Sequence, residues 1–239
     1  MQLLINGWHS RVKKVARDVL DVALPPVCVN CKKPGKWFCA KCYEQIQWVG
    51  ESVCFICGRL TKSPVDQCGI CRSRPLAIGQ IRTAVLYADP VASAIQKFKY
   101  EHMFGLAVPL ADLMLAVWPE WVHQAQLIVP IPLHPEREKK RGYNQSTLLA
   151  KRLSESLKIP LETKALLRTK HTPPQVGLGA VERLQNVVGA FAATGMVTGK
   201  SILLVDDVCT TGATLATAAD VLYEAGADFV MGYCVARAM

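Results

Sequence analysis

No apolar run in this 239-residue chain is long enough to span a bilayer, which excludes a transmembrane helix. The order of a secretory leader is also missing. The basic residues Arg11, Lys13, Lys14 and Arg17 follow the short apolar start instead of preceding it. The expected localisation is therefore cytoplasmic. Acid is scarce: 19 Asp and Glu face 28 Lys and Arg, for a formal charge of +9. The imbalance sits at the front. Residues 1–78 carry 12 basic against 5 acidic side chains, and the rest carries 16 against 14. A basic front invites an acidic partner such as nucleic acid. With 51% hydrophobic residues a globular core is within reach, and the length fits one medium domain plus a small one.

What the front does have is cysteine. Eight of the ten cysteines fall in residues 28–71 as four Cys-x-x-Cys pairs: Cys28/Cys31, Cys39/Cys42, Cys54/Cys57 and Cys68/Cys71. Two-residue spacing lets both sulfurs of a knuckle reach one ion, and two knuckles complete a tetrahedral site. Eight thiolates predict two structural zinc ions. Four thiolates leave no open coordination position, so neither ion is catalytic. Four disulfides are the competing reading, and the missing leader with the knuckle spacing argues against it. Sequential and interleaved pairing of the knuckles use the same residues, and both stay open. Two zinc thiolate sites would bring the front half from +7 to +3. The basic excess is then a solvated surface, and the charge argument for nucleic acid weakens. Trp37, Phe38, Tyr43 and Trp48, interleaved with Lys32, Lys33, Lys36 and Lys41, either stack on bases or form the small core around the metals.

Before this module, residues 10–24 place Val12, Val15, Ala16, Val19, Leu20 and Ala23 at helical spacing, and Pro25-Pro26 ends the run. Its apolar face lacks large membrane anchors, so it is expected to pack on its own protein. The chain divides into an N-terminal amphipathic helix over 1–26, a double zinc-ribbon module over 27–76 and a larger domain over 80–239.

From Gln80 the pattern alternates strand and helix. Strands are expected at 81–87, 127–131, 202–205 and 229–235. Helices are expected at 90–100, 106–117, 144–154 and 213–225. Three prolines within Pro130-Ile-Pro-Leu-His-Pro135 predict a rigid extended loop, followed by the basic run Arg137-Glu-Lys-Lys-Arg141. Ser201-Ile-Leu-Leu-Val-Asp-Asp-Val-Cys-Thr-Thr-Gly-Ala-Thr-Leu215 reads as a buried parallel strand, a polar loop and a helix start. Gly212 allows close backbone approach. The Thr210, Thr211 and Thr214 hydroxyls and the first helical N–H groups, with Ala213, suit a phosphate. Acids repel a phosphate, so Asp206 and Asp207 should face sugar hydroxyls or a Mg²⁺ that those hydroxyls hold. Cys209 and Cys234 read as core or loop residues.

The strand with Asp206-Asp207 and Thr210-Thr-Gly-Ala-Thr214 resembles the 5-phosphoribosyl-1-pyrophosphate (PRPP) motif of type I phosphoribosyltransferases. The wider set is the cysteine knuckles, Val129 to Pro135, Arg141-Gly-Tyr-Asn-Gln145, Thr172 with Gln175, Arg183 and Asn186, and Val205 to Thr214. Together these resemble the ComF family of double-zinc-ribbon, phosphoribosyltransferase-like proteins. The resemblance implies an α/β fold, a type I phosphoribosyltransferase-like parallel sheet flanked by helices and preceded by the zinc module. It implies that Asp206 and Asp207 hold the ribose, residues 210–214 hold the 5-phosphate, and Mg²⁺ accompanies PRPP. Pro132, Leu133 and His134, with Arg141 nearby, would take the pyrophosphate. Gln175, Arg183 and Asn186 would belong to a hood over the ligand. It further implies an association with competence and DNA uptake or with nucleotide salvage, with single-stranded DNA or competence-machinery proteins as partners. Two departures matter. Thr210 stands where the 6-oxopurine enzymes carry an Asp beside the acceptor base, and position 2 is Gln, not the Cys of a glutaminase. Both a transferase and a non-catalytic PRPP-responsive DNA factor remain open.

Overall fold

The computed structural model describes residues 26–170, 189–194 and 197–238. The expected helix over 10–24 lies outside these residues. Contacts divide the chain into two units, Met1–Gln45 and Ile46–Met239. No helix among the described residues is long and apolar enough to cross a membrane.

The described part of the first unit is built on its knuckles. Val27 bridges Pro34, and the Cys28 N–H donates to the Lys33 carbonyl at 2.8 Å, closing the first turn. A four-residue helix, α1 (Ala40–Tyr43), follows Cys39. Val29 and Phe38 are buried, whereas Tyr43 is 43% exposed. So Phe38 belongs to the small core, and Tyr43 and the four lysines face solvent.

The second unit begins with the other knuckle pair and α2 (Gly69–Ser73). Its centre is a four-stranded parallel sheet of order β1-β6-β5-β2. The strands are β1 (Gln80–Leu86), β2 (Leu127–Pro130), β5 (Ser201–Cys209) and β6 (Phe229–Arg237). A sheet covered on both faces needs continuous apolar strands, and Ile202 to Val205 are all fully buried. One face packs α7 (Ala213–Glu224), through Leu215, Ala218, Ala219 and Leu222 against Ile202, Leu204 and Val230. Gly232 makes this close: a Cβ there would lie 2.9 Å from Leu215 Cδ1. The other face carries α4 (Ala107–Ala116) and α6 (Gln145–Leu157). The Tyr233 hydroxyl crosses to donate to the Met114 carbonyl of α4 at 2.8 Å.

Both sheet edges are covered. Ile56 accepts from the Ile81 N–H at 2.7 Å, and Gln47 from Leu86 at 2.8 Å, so the segment with the second knuckles caps β1. Residues 160–162 bond Ile128 on β2. Unpaired edges invite association, and these bonds satisfy part of each outer edge.

Two features differ from expectation. Pro135–Arg141 is a helix, α5, not a continuation of the rigid loop. The same proline that stiffens the loop opens this helix at its first turn, where no N–H is needed. His134 caps it, Glu136 and Glu138 sit in the first turn, the basic residues sit in the last, and Gly142 ends it at φ 81°. In addition, β3 (Leu166–Arg168) and β4 (Phe191–Ala193) pair antiparallel and bracket the long connection. The remaining helix, α3 (Val91–Tyr100), follows β1.

Candidate functional site

In a parallel sheet the carboxyl ends of the strands gather loops at one edge, and ligands bind there. The end of β5 carries Asp206 and Asp207. On the neighbouring strand Pro130 stands in register with Val205, and the Ile131 N–H donates to the Val205 carbonyl at 2.9 Å. The 131–134 loop therefore starts beside the acids. Asn144, buried before α6, ties the two together. Its amide donates to the Ile131 carbonyl at 3.0 Å, and its side-chain oxygen caps α6 by accepting from Ser146 N–H at 3.0 Å. Ser146, also buried, donates its hydroxyl to Asp206 Oδ1 at 2.8 Å.

The two acids differ. Asp206 is half-buried and accepts from Ser146 and from the Asp207 N–H at 2.9 Å. Burial and the neighbouring Asp207 charge push its carboxyl up to about 7, against the pull of Lys99, Ser146 and the Asp207 amide. Asp207 is buried and pairs through Oδ1 with Lys99 Nζ of α3 at 2.7 Å. Burial works to lower the Lys99 ammonium, and the charges of Asp207 and Asp206 outweigh it, holding it above its ordinary value. The second oxygen, Asp207 Oδ2, is buried without a hydrogen-bond partner among the described residues. A buried carboxylate oxygen without a donor costs on the order of 1–3 kcal/mol, and a ligand hydroxyl would relieve it.

Beyond the acids, Thr210 and Thr211 lead to Gly212 at φ 85°, which caps α7. A side chain there would meet Ile81 Cδ1 at 2.9 Å at a positive φ, so the position strongly favours glycine. The Thr211 hydroxyl accepts from the Ala213 N–H at 3.2 Å. Ala213 and Thr214 open the helix, where the first N–H groups lack intrahelical acceptors.

Pro132, Leu133 and His134 form the short loop after β2, partly buried, and the His134 ring accepts from Glu136 N–H at 3.4 Å as the cap of α5. Arg141 ends α5, donates to Gln145 Oε1 and lies 5.6 Å over the Tyr100 ring. Three guanidiniums lie within electrostatic range. Burial pushes Arg137 down and Arg141 adds to it. Burial likewise pushes Arg168 down and Arg137 adds to it, while the Asp206 charge opposes. Cations that depress one another are favourably placed for a polyanion. Gln175, Arg183, Asn186 and Thr172 lie outside the described residues.

Sequence reasoning missed Lys99, Ser146, Asn144 and Arg168. Asn144-Gln145 was legible as a helix opening, and the cap chemistry of Asn144 was the available signal. Lys99 carried none, because only the tertiary fold brings α3 to β5.

The cysteines form two separate quartets, Cys28/Cys31/Cys39/Cys42 and Cys54/Cys57/Cys68/Cys71, with the four sulfurs of each within 4.8 Å of one another. Pairing is sequential. A tetrahedral zinc with bonds of ~2.3 Å separates its sulfurs by about 3.8 Å. Cys31–Cys39 are 3.5 Å apart, Cys57–Cys68 3.8 Å and Cys54–Cys71 3.9 Å, which fits zinc and is far too long for disulfides. The Cys68 N–H donates to Cys54 Sγ at 3.3 Å, as a knuckle amide does to a thiolate. All ten cysteines are unbridged. Cys209 and Cys234 are buried in the core, as expected.

Residues 144–238 match the family described as phosphoribosyl transferase domain, and residues 19–74 match the double zinc ribbon domain. The class is therefore a double zinc ribbon joined to a phosphoribosyltransferase-type domain. More narrowly, the chain belongs to the ComF family. It is 33% identical over 232 residues to competence protein F of Haemophilus influenzae, covering 93% of this chain and 95% of that one. It is 31% identical to DNA utilization protein YhgH of Escherichia coli, over 91% of this chain and all of that one. It is 30% identical to competence protein ComFC of Bacillus subtilis, over 81% of each.

Proposed function

We propose that the larger unit binds PRPP with Mg²⁺ and that the protein serves the DNA utilization for which its relatives are named. The carrying observation is the acid pair at the end of β5, Asp206 half-buried and Asp207 buried with its Oδ2 lacking a hydrogen-bond partner among the described residues, and a loop directly after it that turns on Gly212. Asp206 and Asp207 accept from the ribose 2- and 3-hydroxyls. Residues 210–214 and the start of α7 hold the 5-phosphate. The 132–134 loop, with Arg137, Arg141 and Arg168, receives the pyrophosphate and its Mg²⁺.

Transfer to an acceptor would break the bond from the anomeric carbon to pyrophosphate and form one to the acceptor. Thr210 supplies no carboxylate beside the acceptor position. The reading favoured is therefore a PRPP-binding protein whose acceptor, if turnover occurs, is not a 6-oxopurine.

Calorimetric titration of Mg²⁺–PRPP into the zinc-loaded protein, beside an Asp206→Asn/Asp207→Asn variant, tests this. The parent should bind and the folded variant should lose at least tenfold in affinity. No binding by a folded parent sinks the reading.

A second reading concerns the first unit, where Tyr43 is exposed among Lys32, Lys33, Lys36 and Lys41. It favours contact with single-stranded DNA by stacking and phosphate pairing. Such binding should weaken steeply with salt, and Tyr43→Ala should reduce it roughly tenfold. Salt-independent or Tyr43-independent binding would contradict it.

A further inference from the structure

Arg237 is the last residue of β6 and only 2% exposed. Desolvating a guanidinium costs several kcal/mol (roughly, by analogy with other ions), and NH2 of Arg237 is buried without a hydrogen-bond partner among the described residues, so the contacts of NH1 are what hold it. Here one nitrogen, NH1, donates to the Cys57 carbonyl at 2.8 Å and to Cys209 Sγ at 2.8 Å. No carboxylate is paired with it among the described residues. Its two acceptors are informative. Cys57 belongs to the second quartet. Cys209 is the last residue of β5, and the phosphate loop begins at the next residue, Thr210. The end of β5 is fixed again by the Ala238 N–H, which donates to the Cys209 carbonyl at 3.0 Å.

A second line of contact joins the same two places. Leu76 packs against the cluster of Cys54, Cys57 and Cys71, and its Cδ1 stands 3.4 Å from where a Gly212 Cβ would be. Ile81 Cδ1 stands 2.9 Å from that point. Ile81 is itself gripped by the knuckle. Its N–H donates to the Ile56 carbonyl at 2.7 Å, and a Cβ on Gly58 would fall 2.5 Å from its carbonyl oxygen. The knuckle thus reaches the loop by two independent routes. A polar one runs Cys57–Arg237–Cys209, and an apolar one runs through Leu76 and Ile81 to Gly212.

We infer that Arg237 is a positioning residue for the phosphate loop, coupling it to the second cysteine quartet. Metal bound by Cys54, Cys57, Cys68 and Cys71 then holds the loop in its ligand-binding shape. By thermodynamic reciprocity, a ligand in the loop holds the metal. None of these contacts involves the first quartet. The inference rests on the phosphoribosyl reading of the loop and adds to it a metal-dependent control.

The test uses the full zinc-loaded chain, a chelator and an isotope-coded alkylating reagent, with the rate at each cysteine resolved by peptide mass spectrometry. Mg²⁺–PRPP is the probe, and its binding is measured in parallel by calorimetry. Saturating PRPP should slow alkylation of Cys54, Cys57, Cys68 and Cys71 by about five- to tenfold, within the usual range of coupling. Cys28, Cys31, Cys39 and Cys42 should react at an unchanged rate. Arg237→Gln should lose the protection and bind PRPP weaker by a similar factor, and Arg237→Lys should recover part of both. The parent measurement needs no variant, so a misfolded Arg237→Gln does not remove the test. PRPP binding with no change at the second quartet, or with both quartets slowed alike, overturns the coupling and leaves the binding reading standing. Failure of the folded parent to bind PRPP overturns both.

Discussion

Lys99 decides how the acid pair is charged. Two carboxylates cannot both ionise cheaply in a buried site, and one ammonium at 2.7 Å from Asp207 satisfies one of them. Replacing Lys99 by Met leaves the Asp207 charge buried and unpaired. The expected loss is about 2–4 kcal/mol in urea unfolding, since breaking a buried pair is costly and this one is partly exposed on the lysine side. Lys99→Arg should recover most of it. Asp206 makes a pH prediction. Its folded pKa of about 7 lies above the ordinary carboxylate value, so the folded protein retains a proton that the unfolded chain has released. The contribution of Asp206 to the stability of the ligand-free protein therefore falls as pH rises from about 4 through 7. Asp206→Asn should remove that slope and be more stable than the parent at pH 8, by about 1–2 kcal/mol, and no more stable at pH 4. Unfolding titrations at the two pH values check the sign. The acids were legible because they are adjacent in sequence and follow an apolar run. Lys99 was not, because its meaning is a tertiary contact between α3 and β5, and a lysine near a helix end reads as solvated. Gln175, Arg183 and Asn186 carry no structural reading, lying outside the described residues.

At the scale of elements, the strands and helices that bury a full face were readable, and the short or polar ones were not. β5 and β6 announce themselves by continuous apolar residues, and α7 by its alanine-rich run ending near Gly226. β3 and β4 have three residues each, too few for an alternation to register. α5 is hidden in the sequence because the three prolines within residues 130–135 point to an extended loop. Its caps, acid-first and base-last ordering, and Gly142 are all helix signals that outweigh the preceding prolines. The loop between β5 and α7 yields a prediction of its own. Gly212→Ala forces a Cβ against Ile81 at a positive φ, and should cost about 1–3 kcal/mol of stability. It should also weaken binding of ribose 5-phosphate at least tenfold, measured by calorimetry. Unchanged affinity would mean that the loop does not hold the phosphate.

For the whole molecule, the cysteines do what apolar burial cannot. Among the described residues of the first unit few large side chains are buried, Val29 and Phe38 being the main ones, so metal should supply much of the folding free energy of this module. Elemental analysis should find two zinc ions per chain, and Cys31→Ser should lower this to about one. Chelation should unfold the first unit while the sheet of the second persists, followed by exchange of backbone amides in residues 26–45 against those of β5 and β6. Compositional change in the sequence falls near Arg72–Gly79, and contacts group residues 46–239 together. The second knuckle pair looks like the first as text, and the hydrogen bonds to β1 and Arg237 and the packing of Leu76, which tie it to the sheet, are tertiary contacts. The central claim is where the phosphoribosyl group sits, and a crystal structure of the zinc-loaded protein with Mg²⁺–PRPP tests it most directly. The account predicts the ribose 2- and 3-hydroxyls within hydrogen-bond distance of Asp206 and Asp207 and the 5-phosphate on residues 210–214. A ligand bound elsewhere, or sugar hydroxyls turned away from both acids, would contradict it.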